Sequence, residues 1–574
     1  MALFDGFFVR ISVLTGELVA IDHLKLIFTL LATYPIASIY KNLLPPDNQN
    51  LKHLLSILFA ILVFFGVFDL ADAFYTILFD SLLTYGIMYN VKNEWGPRLV
   101  FLCMLGHMSV SNLRSSSNNS RDCAHHINRQ LNHLSYDKFD LTSSQMVLVI
   151  KLTSFAFNVY DGRRPLHVLS SDQKRKSIPS MPPILEFLGY VYFFGGVFTG
   201  PAFEFMEYRR FVNMEMYRID EIDTNKPKEL ILQNPINAPA NRKVDKQFIW
   251  EKNDEKHSRP PKYFIPDGFS PAMGKLLSSL FWIVCLISFG GKYSYDWTLG
   301  EEYKSISFLK RLWFIQMVAL CARFKYYIVW MLAEGACILS GLGFNGYDER
   351  GRAKWDRVSN IDVVAYEKAD NIKSLLEAWN KNTNKWLKNY VYLRVTPPGK
   401  KPTFFSTFAT FGTSAIWHGF YPGYYLTFAS GAFIQSLHRT IRRHVRPIFL
   451  TPRFARFKPL YDFLNWIITQ SIINYLVISF NLLELGSSLY VWSSLYFCGH
   501  VAILFAYIAF WFGAGKICKR IVSIGGGVPD GKKEDDIAKI KREGYKRWEE
   551  RKKELTEKKK PIIAETGFPL TEVE

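Results

Sequence analysis

The sequence has little of what secreted, metal-dependent or nucleic-acid-binding proteins are built from. Its seven cysteines are scattered through 574 residues, mostly in apolar runs and without a C-x-x-C pair, so they neither form nor imply a disulfide framework. Asp122, Cys123, His125 and His126 lie together in Ser/Asn-rich sequence but lack a second ligand pair at zinc spacing, and no metal is expected. No G-x-S-x-G elbow is present, and Ser414, four positions before His418, is expected to bond its own helix backbone. The N-terminus has no basic stretch ahead of its first apolar run and carries Asp5 early, so a cleavable signal is not expected. Thr571 to Glu574 form neither a retention tetrapeptide nor a prenylation box. The formal charge of +19 comes without a base-reading helix or a zinc finger, and nucleic acid is not an expected partner.

What the chain does have is apolar sequence in long blocks, 49% apolar and 16% aromatic residues overall. Candidate spans fall near 24–40, 53–71, 73–90, 98–112, 145–159, 184–201, 273–290, 308–321, 326–344, 403–417, 422–436, 461–484 and 489–513. Several are shorter than the ~20 residues a straight helix needs to cross the hydrocarbon. Short or broken pieces suggest re-entrant or cavity-lining segments, tolerated where protein or water covers the backbone. The spacing predicts an all-α polytopic membrane protein. Its basic residues, including His438, Arg439, Arg442, Arg443 and Arg446, read as positively charged cytosolic loops.

Polar segments divide the blocks. Arg114 to Asp140 reads as a loop, with a glycosylation acceptor at Asn118-Asn119-Ser120 that matters only on a luminal side. Lys151, among apolar residues, is explained as well by snorkelling as by function. The GGVFTGP run at 195–201 places small residues and a proline near the end of a span, where a helix can break beside a cavity. A polar loop follows from about 206 to 272. Glu334, inside an apolar stretch, should be paired with a basic residue or a backbone amide, and Gly341 with Gly343 should cap its helix. Residues 1–515 read as the membrane-embedded domain and 516–574 as a charged, helical, cytosolic tail with Glu549/Lys553 and Glu554/Lys558 at i,i+4.

The stretch Trp379 to Tyr425 sets an amide, Asn380, and an imidazole, His418, into aromatic sequence 38 positions apart, with a basic Pro/Gly turn between them. An ionisable group in a membrane segment is costly and marks a functional site by default. The bland alternative is a core histidine bonded to a carbonyl.

The order W-N-x-N-T-x-x-W-L, Y-V-Y, W-H-G, P-G-Y-Y resembles the membrane-bound O-acyltransferases of the lysophospholipid acyltransferase branch. The segments at 140–162, 193–205 and 323–348, with WDRVSNID at 355–362, extend the resemblance over roughly residues 20–515, most like the fungal enzymes. The F-Y-x-D-W-W-N motif of the sterol and diacylglycerol branch is absent. The resemblance implies about 11 transmembrane or re-entrant helices around a central catalytic tunnel, in the endoplasmic reticulum membrane. It implies a long-chain acyl-CoA as co-substrate, a lysophospholipid as acceptor, and no cofactor. In that chemistry His418 is the general base and Asn380 orients the nucleophile or stabilises the oxyanion. Trp379, Trp386, Tyr390, Trp417 and Tyr424 are candidate tunnel residues, Arg394 a candidate contact for CoA phosphate, and Glu334 a candidate for substrate positioning. A transporter or channel with a polar midplane site, or a family member acylating a sterol or protein, remains the alternative.

Overall fold

The computed structural model describes residues 3–14, 21–129, 142–217, 264–348, 350–397, 400 and 402–526, with backbone only at 114–129 and 142. Among the described residues the structure is helical. Its helices are α1 (Asp5–Leu14), α2 (Ile21–Asn42), α3 (Gln49–Ile61), α4 (Ala71–Asn90), α5 (Trp95–Arg129), α6 (Thr142–Gly162), α7 (Ser171–Lys176), α8 (Ile184–Val191), α9 (Phe205–Val212), α10 (Phe269–Phe289) and α11 (Phe308–Ser340). They continue as α12 (Val363–Glu367), α13 (Ile372–Ala378), α14 (Lys381–Trp386), α15 (Phe404–His418), α16 (Pro422–Val445), α17 (Lys458–Leu476), α18 (Leu485–Ser494), α19 (Cys498–Trp511) and α20 (Ala514–Ile524).

Among the described residues, five helical stretches are long and apolar enough to cross a bilayer: Ile21–Asn42, Gln49–Val67, Phe269–Phe289, Phe308–Ser340 and Ala455–Leu482. The pair α18 and α19, bent by 77°, makes a sixth if counted as one span. The chain is a multi-pass membrane protein. Its contacts divide it into two compact units, Met1–Gln435 with Trp466–Gly499, and Ser436–Asn465 with His500–Glu574. The expected tail helix lies outside the described residues.

Three expectations about the elements are corrected. The separate spans at 308–321 and 326–344 are one helix, α11, of 33 residues, about 50 Å long. Arg323 does not interrupt it, because the guanidinium is buried and bonded to both oxygens of Glu367 at 3.0 Å and to Asn474 Oδ1 at 2.7 Å. Arg114 does not open a loop either: α5 stays helical to Arg129, in sequence free of proline and glycine between those residues. The glycosylation acceptor and the Asp122 to His126 cluster lie on that stretch, where only backbone is described. The span at 184–201 is helical for only eight residues, Ile184–Val191, before the glycine pair and Pro201.

The break after α8 explains Lys151, which does not snorkel. It is 1% exposed, and its Nζ donates to the carbonyls of Tyr190 at 2.5 Å and Val191 at 3.2 Å. Those carbonyls end α8 and have no next turn to bond to. The rings of Tyr190 and Phe203 cover the same ammonium at 4.4 and 4.6 Å, so an internal cation caps a broken helix. Lys151 belongs to α6, whose residues from Leu148 to Val159 are buried throughout. This helix is the central post against which α4, α5 and the π-helical turn after α14 pack.

Candidate active site

His418 is the last residue of α15, and Gly419 ends the helix with φ +122°, a conformation open to glycine and strained for other residues. The imidazole lies among four rings: Trp417, Tyr424, Phe428 and Phe480, with centroids at 4.7, 5.4, 5.1 and 5.0 Å. No hydrogen bond joins either ring nitrogen to a described residue. The bland alternative, a histidine held by a carbonyl, is therefore not what the structure contains.

Asn380 caps α14 in a left-handed conformation, φ +40° and ψ +56°, without a side-chain capping bond. Asparagine is among the few side chains that tolerate this region. Its place is fixed through the backbone around it. Lys381 N donates to Asn360 O at 2.8 Å, Asn382 Nδ2 to Val358 O at 3.3 Å, and Asn384 Nδ2 to Leu376 O at 2.9 Å. The segment Trp355 to Asp362 thus cradles the start of α14. Asp356 in that segment accepts from Asn345 Nδ2 at 2.9 Å. Its pKa lies below the ordinary carboxylate range, because partial desolvation, which alone would raise it, is outweighed by that bond and by Lys381 and Lys354.

One aromatic contact connects the Asn380 and His418 stretches. Trp386, two turns along from Asn380, meets Trp417 at 6.0 Å between centroids, and its Nε1 donates to Thr153 Oγ1 of α6 at 2.9 Å. Trp417 Nε1 donates to Met146 O, also of α6, at 3.0 Å. On the other side Trp379 packs among Tyr326, Trp330 and Tyr366 at 5.4, 5.1 and 5.1 Å. Trp386 and Trp417 thus meet, Tyr424 touches His418, and Trp379 packs in an aromatic cluster of its own. Tyr390 stands apart from these: its hydroxyl bonds Asn158 Oδ1 at 3.0 Å and Glu204 at 2.9 Å.

The two charged candidates are both engaged. Glu334, 1% exposed, is paired with Lys275 Nζ at 2.9 Å, as its burial required, while its Oε2 has no hydrogen-bond partner. Lys381, beside Asn380, contributes to its electrostatic surroundings. The Arg394 guanidinium is bound to both oxygens of Asp161. Gly341 ends α11 in a left-handed cap, φ +102°, as expected.

Residue order gave no special place to Glu204, Asn158 or Asn360. Their signal was available only as position within the matching segments 193–205, 140–162 and 355–362, since none has spacing that marks it as polar machinery. Among the described residues no group of three metal-ligating side chains is assembled.

Comparison with known proteins decides the class. Residues 131–480 match the family described as MBOAT, membrane-bound O-acyltransferase. The chain belongs to the membrane-bound O-acyltransferase family. It is 40% identical over 492 residues to a protein of Schizosaccharomyces pombe named lysophospholipid acyltransferase, covering 85% of this chain and 86% of that one. A Saccharomyces cerevisiae protein of the same name is 36% identical over 85% of this chain and 74% of its own length. The Drosophila melanogaster protein named lysophospholipid acyltransferase 6 is 30% identical over 84% of this chain and 60% of its own length. The matched segment contains both Asn380 and His418. This membrane-bound acyltransferase therefore carries its imidazole and its amide on two stretches joined by aromatic side chains.

Proposed function

We propose that this acyltransferase moves a long-chain acyl group from acyl-CoA to the free hydroxyl of a lysophospholipid, with His418 as general base and Asn380 assisting. The observation that carries the assignment is the His418 imidazole, ringed by four aromatic side chains and unbonded to any described residue. A half-buried imidazole with no hydrogen bond to a described residue is available to a substrate hydroxyl. The names of the fungal relatives support the acceptor class.

In this reading an imidazole nitrogen takes the proton of the glycerol hydroxyl as its oxygen attacks the thioester carbonyl. The tetrahedral intermediate then expels the CoA thiolate, which takes the proton back from the imidazolium. The new ester bond forms as the thioester bond breaks, and no acyl-enzyme is needed because the thiolate is already a good leaving group. A positioned general base contributes about 10²–10⁴ in rate. Asn380, whose carboxamide is also unbonded to the described residues, donates to the oxyanion, where loss of one donor costs about 10²–10³. The thioester supplies the activation, so neither metal nor cofactor enters. The basic loops belong on the cytosolic side with the CoA and the C-terminus, and the endoplasmic reticulum membrane is the setting.

The test is acyl-CoA-dependent conversion of a panel of lysophospholipids by membranes lacking endogenous acyltransferase. The unaltered chain is compared with equally expressed His418→Ala and Asn380→Ala. Turnover by the unaltered chain with loss in both variants is expected. A fully active His418→Ala would sink the base assignment, and inactivity of the unaltered chain on every lysophospholipid would sink the acceptor class.

A further inference from the structure

His418 and Asn380 account for the proton and the oxyanion but leave open what holds the acyl acceptor. Two polar atoms are shut off from solvent without a hydrogen-bond partner among the described residues, Asn112 Nδ2 on α5 and Gln145 Oε1 on α6, and the first lies against the residue that follows His418. A buried polar group left unsatisfied is costly, and native chains rarely retain one without a reason.

Their placement is specific. A Cβ built at Gly419 would lie 3.5 Å from Asn112 Nδ2 and 3.6 Å from Tyr424 Cε2. The amide and the ring that touches His418 thus flank the residue that follows it. On the other side of the turn, the Trp417 indole donates to the carbonyl of Met146, the residue after Gln145. Gln145 itself is fully buried. Its Nε2 is directed to Asp80 Oδ2 at 3.5 Å, and Asp80 Oδ1 is bonded to His107 Nδ1 at 2.6 Å. The carboxylate of this chain fixes the Gln145 amide, leaving its oxygen as the unused atom.

We infer that the Asn112 carboxamide binds the glycerol portion of the acyl acceptor beside His418, with Gln145 as the second polar contact. The inference rests on the lysophospholipid reading above and deepens it. One unused donor and one unused acceptor match a glycerol backbone, which presents both hydroxyl and ester oxygens. The unused acceptor separates the two substrates, because near the reacting carbon the glycerol has a hydroxyl to donate whereas the thioester has only a carbonyl. The residue therefore acts on one substrate and not the other.

The experiment measures initial rates of the purified full-length chain while lysophospholipid and acyl-CoA are varied separately, for the unaltered protein, Asn112→Ala and Asn112→Asp. The aspartate keeps the shape and removes the donor, and it carries the test if the alanine variant does not fold. The expected result is a KM for lysophospholipid raised about three- to tenfold, the worth of one hydrogen bond. The KM for acyl-CoA and the thermal midpoint should stay unchanged. An unaltered acceptor KM in the folded variants overturns the inference, as does a parallel rise in both KM values. An unaltered chain inert on every lysophospholipid removes the lysophospholipid reading itself, a failure distinct from either of these.

Discussion

Arg394 and Asp161 lie fork to fork: Nη1 donates to Oδ1 at 3.0 Å and Nη2 to Oδ2, across a separation of 233 positions in sequence. The carboxylate is 1% exposed, with Gln173 Nε2 at 3.3 Å and Arg164 Nη1 at 3.6 Å as weaker partners. This pair ties the chain after α14 to the end of α6, and so steadies the segment that begins at Asn380.

Arg394→Ala is expected to strip a buried carboxylate of its main partner, a change that costs about 3 kcal/mol. Thermal unfolding should show a lowered midpoint, while the KM for acyl-CoA stays where it was. Arg394→Lys keeps the charge without the planar fork and should recover only part of the loss. A raised acyl-CoA KM at an unchanged midpoint would instead return Arg394 to the CoA phosphates.

Lys275 and Glu334 form a second pair at 2.9 Å, with the carboxylate buried and the ammonium partly exposed. Lys275→Met alone should destabilise the chain by about 3 kcal/mol, because it leaves a charge buried and unmatched. Combining it with Glu334→Gln removes both charges, and the double variant should regain most of the midpoint together with activity. A double variant that is stable yet inactive would show that Glu334 touches the substrate.

Gly419→Ala probes the turn at His418. The space around its Cβ is ordinary, with 3.5 Å to Asn112 Nδ2 as the closest approach, so the penalty lies in the backbone at φ +122° and amounts to about 1–3 kcal/mol. The displaced imidazole should lower kcat by about 10²-fold. Gly412→Ala, within the same helix and with nothing within 4 Å of its Cβ, should keep its activity. Equal rates in both variants would argue that the turn does not set the imidazole's position.

Much of the architecture was legible in residue order because membrane helices carry their own signal. Long apolar runs must become helices, since lipid leaves no other way to satisfy the backbone. The W-N and W-H-G stretches marked Asn380 and His418, and burial alone required a partner for Glu334. Legibility failed where one charge alters the local reading. Two expected spans are one helix, in which Arg323 is a buried, paired group. Lys151 looked like a snorkelling side chain and proved to be the cap of a broken helix.

The sequence by itself determined the helical membrane class and the family, because periodicity, apolar length and motif order are properties of neighbouring positions. Only the tertiary structure decided which polar groups are spent and which are free. Arg394 is occupied by Asp161 and Glu334 by Lys275, whereas His418 makes no hydrogen bond to a described residue and Asn112 Nδ2 has no acceptor. The physical reason is that hydrogen bonds and ion pairs are satisfied in three dimensions, by residues that can lie more than two hundred positions apart.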